Sequence, residues 1–354
     1  MGGFIQKTGF PFEPGINFSE IIDVRAPSEF AEDHISGAIN LPVLNDAERI
    51  EIGTIYKQES PFIARKLGAA IVSRNISEHI NRHFIDREKD YRPLIHCWRG
   101  GQRSESMATV LSSIGWHVYF LEGGYRTYRR YVITEIESRV SRLNFVVLNG
   151  LTGAGKTLVL KKLHELGEQV LDLEGLACHK GSVFGGDPHN PQPAQKRFES
   201  LLFNEFNRFD DDRPVYIEAE SAKIGKLNLP NPLWQKMKVS PVIELNSPLE
   251  CRAEYLTEDY NEWLSDLDRV LETIDRLKGF HPNKQLVEWK QMAKNRNWKD
   301  LTASLLAEHY DRRYRPANAE GNFQSPCRKL VITNHDDSSL QTCAEQVRGF
   351  EIKA

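Results

Sequence analysis

The run Phe145-Val146-Val147-Leu148 is followed by Gly150-Leu151-Thr152-Gly153-Ala154-Gly155-Lys156-Thr157, then by Leu158, Leu160, Leu163 and Leu166. This succession leaves the chain few folds. A run apolar on both faces reads as a strand buried on both sides, and the leucines after it lie at helical spacing. Strand, glycine-rich turn and helix are the context of a P-loop, whose glycines let backbone N–H groups wrap a phosphate chain. Lys156 neutralises the outer charge and Thr157 offers its hydroxyl to Mg²⁺. Gly150, Gly153, Gly155, Lys156 and Thr157 are therefore the expected phosphate-binding residues; what ligand carries the phosphates is a separate question. A strand buried on both faces needs helices on both, so the class is α/β with a parallel sheet.

A second strand–turn–helix lies upstream. Leu94-Ile95 reads as a buried strand that ends at Cys97, followed by Arg99, Gly100, Gly101, Arg103 and Ser104 and by a helical pattern of Met107, Val110, Leu111 and Ile114. Converging backbone N–H groups, a helix N-terminus and two arginines favour the thiolate of Cys97. The same cradle would hold an oxyanion on whatever Cys97 attacks or carries. Cys97 is the expected catalytic residue, with Arg99, Gly100, Gly101, Arg103 and Ser104 around its anion.

The chain has 354 residues, enough for two domains, with a break expected near Ser138: residues 1–138 and 139–354. No apolar run approaches the ~20 residues of a membrane span, and no basic-then-apolar leader opens the sequence. Five scattered cysteines suggest no disulfide framework and fit a reducing cytoplasm. A net charge of −3 gives no global sign of nucleic-acid binding but leaves room for a local basic face.

Ile22-Asp23-Val24-Arg25-Ala26-Pro27, His34 to Pro42, the Cys97 loop and Leu121-Glu122-Gly123-Gly124-Tyr125 together resemble a rhodanese domain over the whole first domain. The resemblance implies sulfur or selenium carried as a persulfide-type adduct on Cys97. Asp23 and Arg25, at a strand end, read best as a structural ion pair. From Asp46 to Phe84 the pattern is helical. The spacing from Cys97 to Arg103 is also that of cysteine phosphatases, whose arginine grips a phosphoryl group bidentately. Loop length alone leaves both chemistries open.

Past the P-loop, Asp172 and Glu174 read equally as metal or substrate contacts and as a helix cap. His179 and Lys180, beside Gly181 and Gly185, read as a loop able to close over a polyanion. The strand Pro214–Glu218 stands where P-loop NTPases usually carry an Asp supporting Mg²⁺. Here it is Glu218, with Glu220 and Ser221 after it, a departure that counts against plain ATP or GTP hydrolysis. Asp172, Glu174, His179, Lys180, Glu218 and Ser221 are second-rank candidates around the phosphate site. The set Trp263, Leu264, Leu267, Val270, Leu271, Ile274 and Leu277 reads as helical core. Lys278, Lys284, Lys290, Lys294, Arg296 and Lys299, with Trp289 and Trp298, and then Arg312, Arg313 and Arg315 near Tyr310 and Tyr314, suit a groove that follows an RNA backbone. A solvated helix face over buried tryptophans explains them as well.

The stretches Asp172 to Gly185 and Cys97 to Ser104, taken together, resemble the tRNA 2-selenouridine synthase family across both domains. The implied fold is a rhodanese-like parallel-sheet domain followed by a P-loop NTPase-like α/β domain with a helical C-terminal part. The implied activity replaces sulfur by selenium at C2 of a wobble 2-thiouridine, with selenophosphate as donor and an S-geranylated intermediate made from geranyl diphosphate. No tightly bound cofactor is implied, and Mg²⁺ stays open. The implied partners are the tRNA anticodon loop and an enzyme supplying selenophosphate, with a monomer favoured. The small residues of Leu67-Gly68-Ala69-Ala70-Ile71 offer one place for a prenyl chain, against plain helix packing. The alternative is a P-loop kinase or NTPase with a regulatory rhodanese module.

Overall fold

A computed structural model describes residues 3–180, 186, 190–313 and 323–350. The chain divides into two compact units, Met1–Ile136 with Pro193–Asn204, and Glu137–Gln192 with Glu205–Ala354.

The first unit is built on five parallel strands: β1 (Phe4–Thr8), β2 (Glu20–Asp23), β3 (Ala38–Asn40), β4 (Pro93–His96) and β5 (His117–Leu121), in the order β1-β5-β4-β2-β3. Central β4 is buried along its whole length, whereas edge strand β1 is exposed at four of its five residues. That exposure is why β1 carries no legible apolar pattern. Ile22, Ile95, Met107, Leu111 and Val118 pack between the sheet and its helices. The helical stretch after Asp46 is two helices, Asp46–Gln58 and Pro61–His79, the second running into a wider turn through Phe84. Ser60 caps the second helix through the N–H groups of Phe62 and Ile63, and Pro61 occupies its first turn, where its missing N–H costs nothing. All but the last two residues of helix Gln195–Phe206 belong to this unit. Phe198 and Leu202 are fully buried there, and the Phe203 ring meets Tyr128 and Tyr131 edge-on.

The second unit has strands β6 (Asn144–Asn149), β7 (Gln169–Leu171), β8 (Pro214–Glu218), a small antiparallel pair β9 (Lys223–Ile224) and β10 (Leu227–Asn228), β11 (Val242–Asn246) and β12 (Arg328–Val331). The main sheet is parallel in the order β12-β11-β6-β8-β7. The P-loop strand β6 is central, with β8 and β11 on either side. The α/β class with parallel sheets expected from the sequence is thus present in both units. The helical part spans Leu249–Asp259, Asn261–Ser265, Leu267–Asp275, Asn283–Lys294 and Trp298–Leu305 around a core centred on Trp289. No described helix is long and apolar enough to cross a membrane.

Candidate functional site

Parallel sheets present functional groups beyond the C-terminal ends of their strands, and both candidate sites lie there. Cys97 directly follows β4. Its Sγ accepts the Gly101 N–H at 3.3 Å and lies 3.1 Å from the Ser104 hydroxyl, which also lies 3.0 Å from Gly101 O. The residue is 4% exposed. A second loop, after β5, seats the first: Tyr125 N–H donates to Cys97 O at 2.8 Å and Arg126 N–H to Trp98 O at 3.1 Å. Gly124 has φ +58, and a Cβ on it would stand 2.2 Å from Cys97 O, so only glycine permits this approach.

The two arginines part company. Arg99 is exposed and has no hydrogen-bond or ion-pair partner among the described residues. Arg103 instead forks onto Glu29, with Nη1–Oε2 at 2.6 Å and Nη2–Oε1 at 3.3 Å. Burial pushes the Glu29 carboxyl up, but the Arg103 guanidinium outweighs it and the pKa ends below the ordinary value. A bidentate grip on a phosphoryl group would need those same N–H groups. This geometry speaks against the phosphatase reading of the Cys97–Arg103 spacing.

Beneath the loop lies a fully buried ion pair, as the sequence suggested. Arg25 Nη2 is 2.6 Å from Asp23 Oδ2, and Arg25 also donates to Asp33 O at 2.6 Å. Its guanidinium sits 4.0 Å from the centre of the Tyr125 ring. His96 is buried beside Asp23, and desolvation holds its pKa below the ordinary value, so the ring stays neutral. Removing one partner of such a pair strands the other charge. Arg25→Met is therefore expected to destabilise the first unit by about 3–5 kcal/mol, with Asp23→Asn/Arg25→Met recovering part of the loss. Urea titration of the two variants checks this, and equal stabilities would contradict it.

In the second unit the P-loop joins β6 to helix Lys156–Glu165. Lys156 Nζ donates to Gly150 O at 3.0 Å, and the Thr157 hydroxyl donates to Glu218 Oε2 at 3.2 Å. Glu218 ends β8 and is fully buried, with Oε1 lacking a hydrogen-bond partner among the described residues. Glu174, Glu218 and Glu220 bring one carboxylate oxygen each within 4.8 Å of one another. Burial, then mutual repulsion, pushes Glu218 up to about 8 and Glu174 to about 9, with Lys156 opposing. Glu220 is raised for the same first reason.

Hard oxygen donors, an orphaned buried oxygen and the adjacent Thr157 hydroxyl fit a divalent cation such as Mg²⁺. Glu174, Glu218 and Glu220 would hold it, and it would supply positive charge to a phosphate chain on the loop. The cation binds deprotonated carboxylates, so its affinity is expected to rise from pH 6.5 to 8.5, by up to about tenfold per unit for each proton displaced. Calorimetric titration with MgCl₂ at the two pH values reads this. Glu218→Gln should weaken binding and flatten the slope, and pH-independent affinity would contradict the assignment.

The remaining candidates separate. Asp172 caps helix Leu173–Ala177 by accepting Gly175 N–H at 2.8 Å. Lys180 lines the cradle but pairs with Asp259 at 2.6 Å, and it lies 4.5 Å from the Tyr260 ring centre. His179 is half-buried and forms a bridge with Gly186. Gly181 and Gly185 lie outside the described residues. Ser221 is exposed and closes a turn with Lys223, which does not bring it to the cradle.

Of the basic stretch, Lys278 and Lys290 pair with Asp275, and Lys299 pairs with Glu254. Trp289 is fully buried, its indole donating to Ser304 at 2.8 Å, and Trp298 packs half-buried on the same core. Trp289 is thus core and unable to stack a base. Lys284, Lys294 and Arg296 are exposed. Arg312 pairs with Glu308. The Arg313 side chain, Tyr314 and Arg315 lie outside the described residues.

Two residues outside the sequence-derived site set serve the P-loop: Glu220 lines its cradle, and buried Arg252 braces it from behind. Glu220 follows the end of β8 through a tight turn in which its N–H donates to Glu218 O at 2.9 Å, and its place two residues after Glu218 is visible in the sequence. Arg252, about a hundred residues downstream, donates to Thr152 O at 3.2 Å and pairs with Asp311 at 2.7 Å. No local pattern announces that contact.

The fold and the two loops define a rhodanese-like domain joined to a P-loop domain. Family profiles agree: a rhodanese-like domain matches residues 13–131, and the tRNA 2-selenouridine synthase AAA domain matches residues 143–282. The chain is 33% identical to the tRNA 2-selenouridine synthase of Sulfurovum sp. (strain NBC37-1) over 327 residues, 84% of this chain and 88% of that one. It is 36% identical to that of Nitrosomonas europaea over 246 residues, 68% and 63% of the two chains. It is 34% identical to that of Marinobacter nauticus over 284 residues, 74% and 75%. The chain belongs to the tRNA 2-selenouridine synthase family.

Proposed function

We propose that this protein replaces sulfur by selenium at C2 of a 2-thiouridine in the anticodon loop of tRNA, in two steps at two sites. The observation that carries the reading is the presence in one chain of a cysteine whose sulfur is held by loop hydrogen bonds and of a complete P-loop backed by buried Glu218.

In the first step the thiocarbonyl sulfur attacks C1 of geranyl diphosphate. The C–S bond forms, the C1–O bond breaks, and its electron pair leaves on the diphosphate. Loss of the N3 proton yields the neutral S-geranyl nucleoside. The P-loop amides of Gly150 to Thr157 and the Lys156 ammonium stabilise the departing diphosphate, where fixed donors act most strongly.

In the second step Cys97 takes selenium from selenophosphate, with Arg99, Gly100, Gly101 and Ser104 around the anion while Arg103 stays on Glu29. Thiolate attack on selenium forms the Sγ–Se bond and leaves the P–Se electron pair on phosphorus, as phosphite. The terminal selenium attacks C2 and expels geranylthiol. An external thiol then cleaves the Sγ–Se bond, leaving selenium on the base and a mixed disulfide on Cys97, which a second thiol reduces. Phosphorus-31 NMR of the spent donor tests this route. Phosphite is expected, and phosphate formed with equal yield by Cys97→Ala would overturn the carrier role. An enzyme supplying selenophosphate, a cytoplasmic location and a monomeric state complete the proposal.

A further inference from the structure

Helix Gln195–Phe206 comes after the P-loop in the sequence, between β7 and β8, yet residues Pro193–Asn204 belong to the first unit. Its contacts there converge on two segments that underlie the Cys97 loop. One is the turn after helix Pro27–Glu32: Lys196 Nζ lies 2.8 Å from Glu32 Oε1, and the Ser200 hydroxyl donates to Asp33 Oδ2 at 2.8 Å. The other is helix Tyr125–Arg142: Arg129 pairs with Glu199 and donates to Lys196 O at 3.4 Å. Asp33 joins the two. Its Oδ2 also accepts the Tyr125 hydroxyl at 2.7 Å, and its carbonyl accepts Arg25. Asp33, Ser200 and Tyr125 are buried, and Asp33 Oδ1 has no hydrogen-bond partner among the described residues. A buried carboxylate depends on its hydrogen bonds, so the two hydroxyls hold Asp33 between them. The line runs on from Tyr125, whose N–H donates to Cys97 O at 2.8 Å. At the rim the Trp98 ring lies 5.4 Å from the Tyr125 ring, with Lys196 Nζ 5.5 Å from the Trp98 ring centre.

We propose that Ser200 and Asp33 are positioning residues for Cys97, and that helix Gln195–Phe206 is a strap by which the chain beyond the P-loop sets the cysteine loop. The proposal rests on the reading of Cys97 as the reacting thiol, and adds that the segment before the P-loop does not hold this thiol in place by itself. The sulfur draws on the Gly101 N–H and the Ser104 hydroxyl, whose aim depends on where the loop backbone lies. Releasing Tyr125 from Asp33 lets that backbone drift, and hydrogen bonds weaken steeply once their donors are misdirected.

Iodoacetamide alkylation of Cys97 in the full chain, followed across pH by mass spectrometry of the Cys97 peptide, tests this. Ser200→Ala and Tyr125→Phe each remove one hydroxyl from Asp33. Each is expected to move the profile to higher pH and to slow alkylation at pH 7 by roughly three- to tenfold, the scale of one lost hydrogen bond. Asp33→Asn keeps an acceptor oxygen for both hydroxyls and should stay within about twofold of the native rate, whereas Asp33→Ala should not. Thermal melts of the same proteins separate positioning from plain support. Lower melting temperatures with a native pH profile in Ser200→Ala and Tyr125→Phe would overturn the proposal, as would equal slowing by Asp33→Asn and Asp33→Ala. If the profiles move as expected but Cys97→Ala still makes 2-selenouridine at the native rate, the positioning stands and the carrier role of Cys97 fails.

Discussion

Cys97→Ala is expected to abolish selenium incorporation and to make the S-geranylated nucleoside accumulate. Sγ is the only atom of this side chain able to bond selenium; its removal forfeits the contacts from Gly101 N–H and the Ser104 hydroxyl but keeps the backbone bonds that seat the loop. Gly101, Gly124 and the bond from Tyr125 N–H to Cys97 O involve backbone that alanine preserves. Under the proposed mechanism geranyl transfer belongs to the other unit's P-loop, so it should proceed within about twofold of the native rate. Selenium transfer should fall by a factor of 10³ or more, the usual scale for losing a covalent catalyst. Mass-spectrometric nucleoside analysis separates the two products. Selenouridine at native levels from Cys97→Ala would remove the cysteine from the mechanism.

Lys156→Ala is expected to block the earlier step. The ammonium lines the cradle, whose other lysine, Lys180, pairs with Asp259. Losing one preorganised charge-stabilising group costs about 10²–10³-fold in rate. Neither the geranylated nor the selenated nucleoside should form from 2-thiouridine tRNA. The block should be bypassed when S-geranylated tRNA is supplied with selenophosphate, because the Cys97 loop is untouched. Failure of the bypass in a variant with native thermal stability would show that the two loops do not act in succession.

The parts of this molecule legible in the sequence are those where chemistry and backbone coincide. Gly153-Ala154-Gly155-Lys156 and Cys97 to Ser104 announced strand ends, turns and helix starts, because glycines and charged residues there serve the loop itself. The Asp23–Arg25 pair was legible because Asp23 ends a short strand and Arg25 follows two residues on. Arg103 was misleading: its spacing from Cys97 suits an anion grip, yet Glu29, far upstream in the sequence, holds its fork. Helix Gln195–Phe206 carries an ordinary apolar face, and nothing local says that it packs in the first unit. The apolar set from Trp263 to Leu277 reads as core, and Leu264, Val270, Ile274 and Leu277 are core. Periodicity reports which face of a helix is buried.

The most direct test of the central claim is nucleoside analysis of 2-thiouridine tRNA incubated with the native protein, geranyl diphosphate and selenophosphate. The account predicts S-geranylated 2-thiouridine when selenophosphate is withheld, and its conversion to 2-selenouridine once selenophosphate is added. Unchanged tRNA together with turnover of ATP or GTP would contradict it, and would assign the P-loop to a nucleotide and the rhodanese-like unit to regulation.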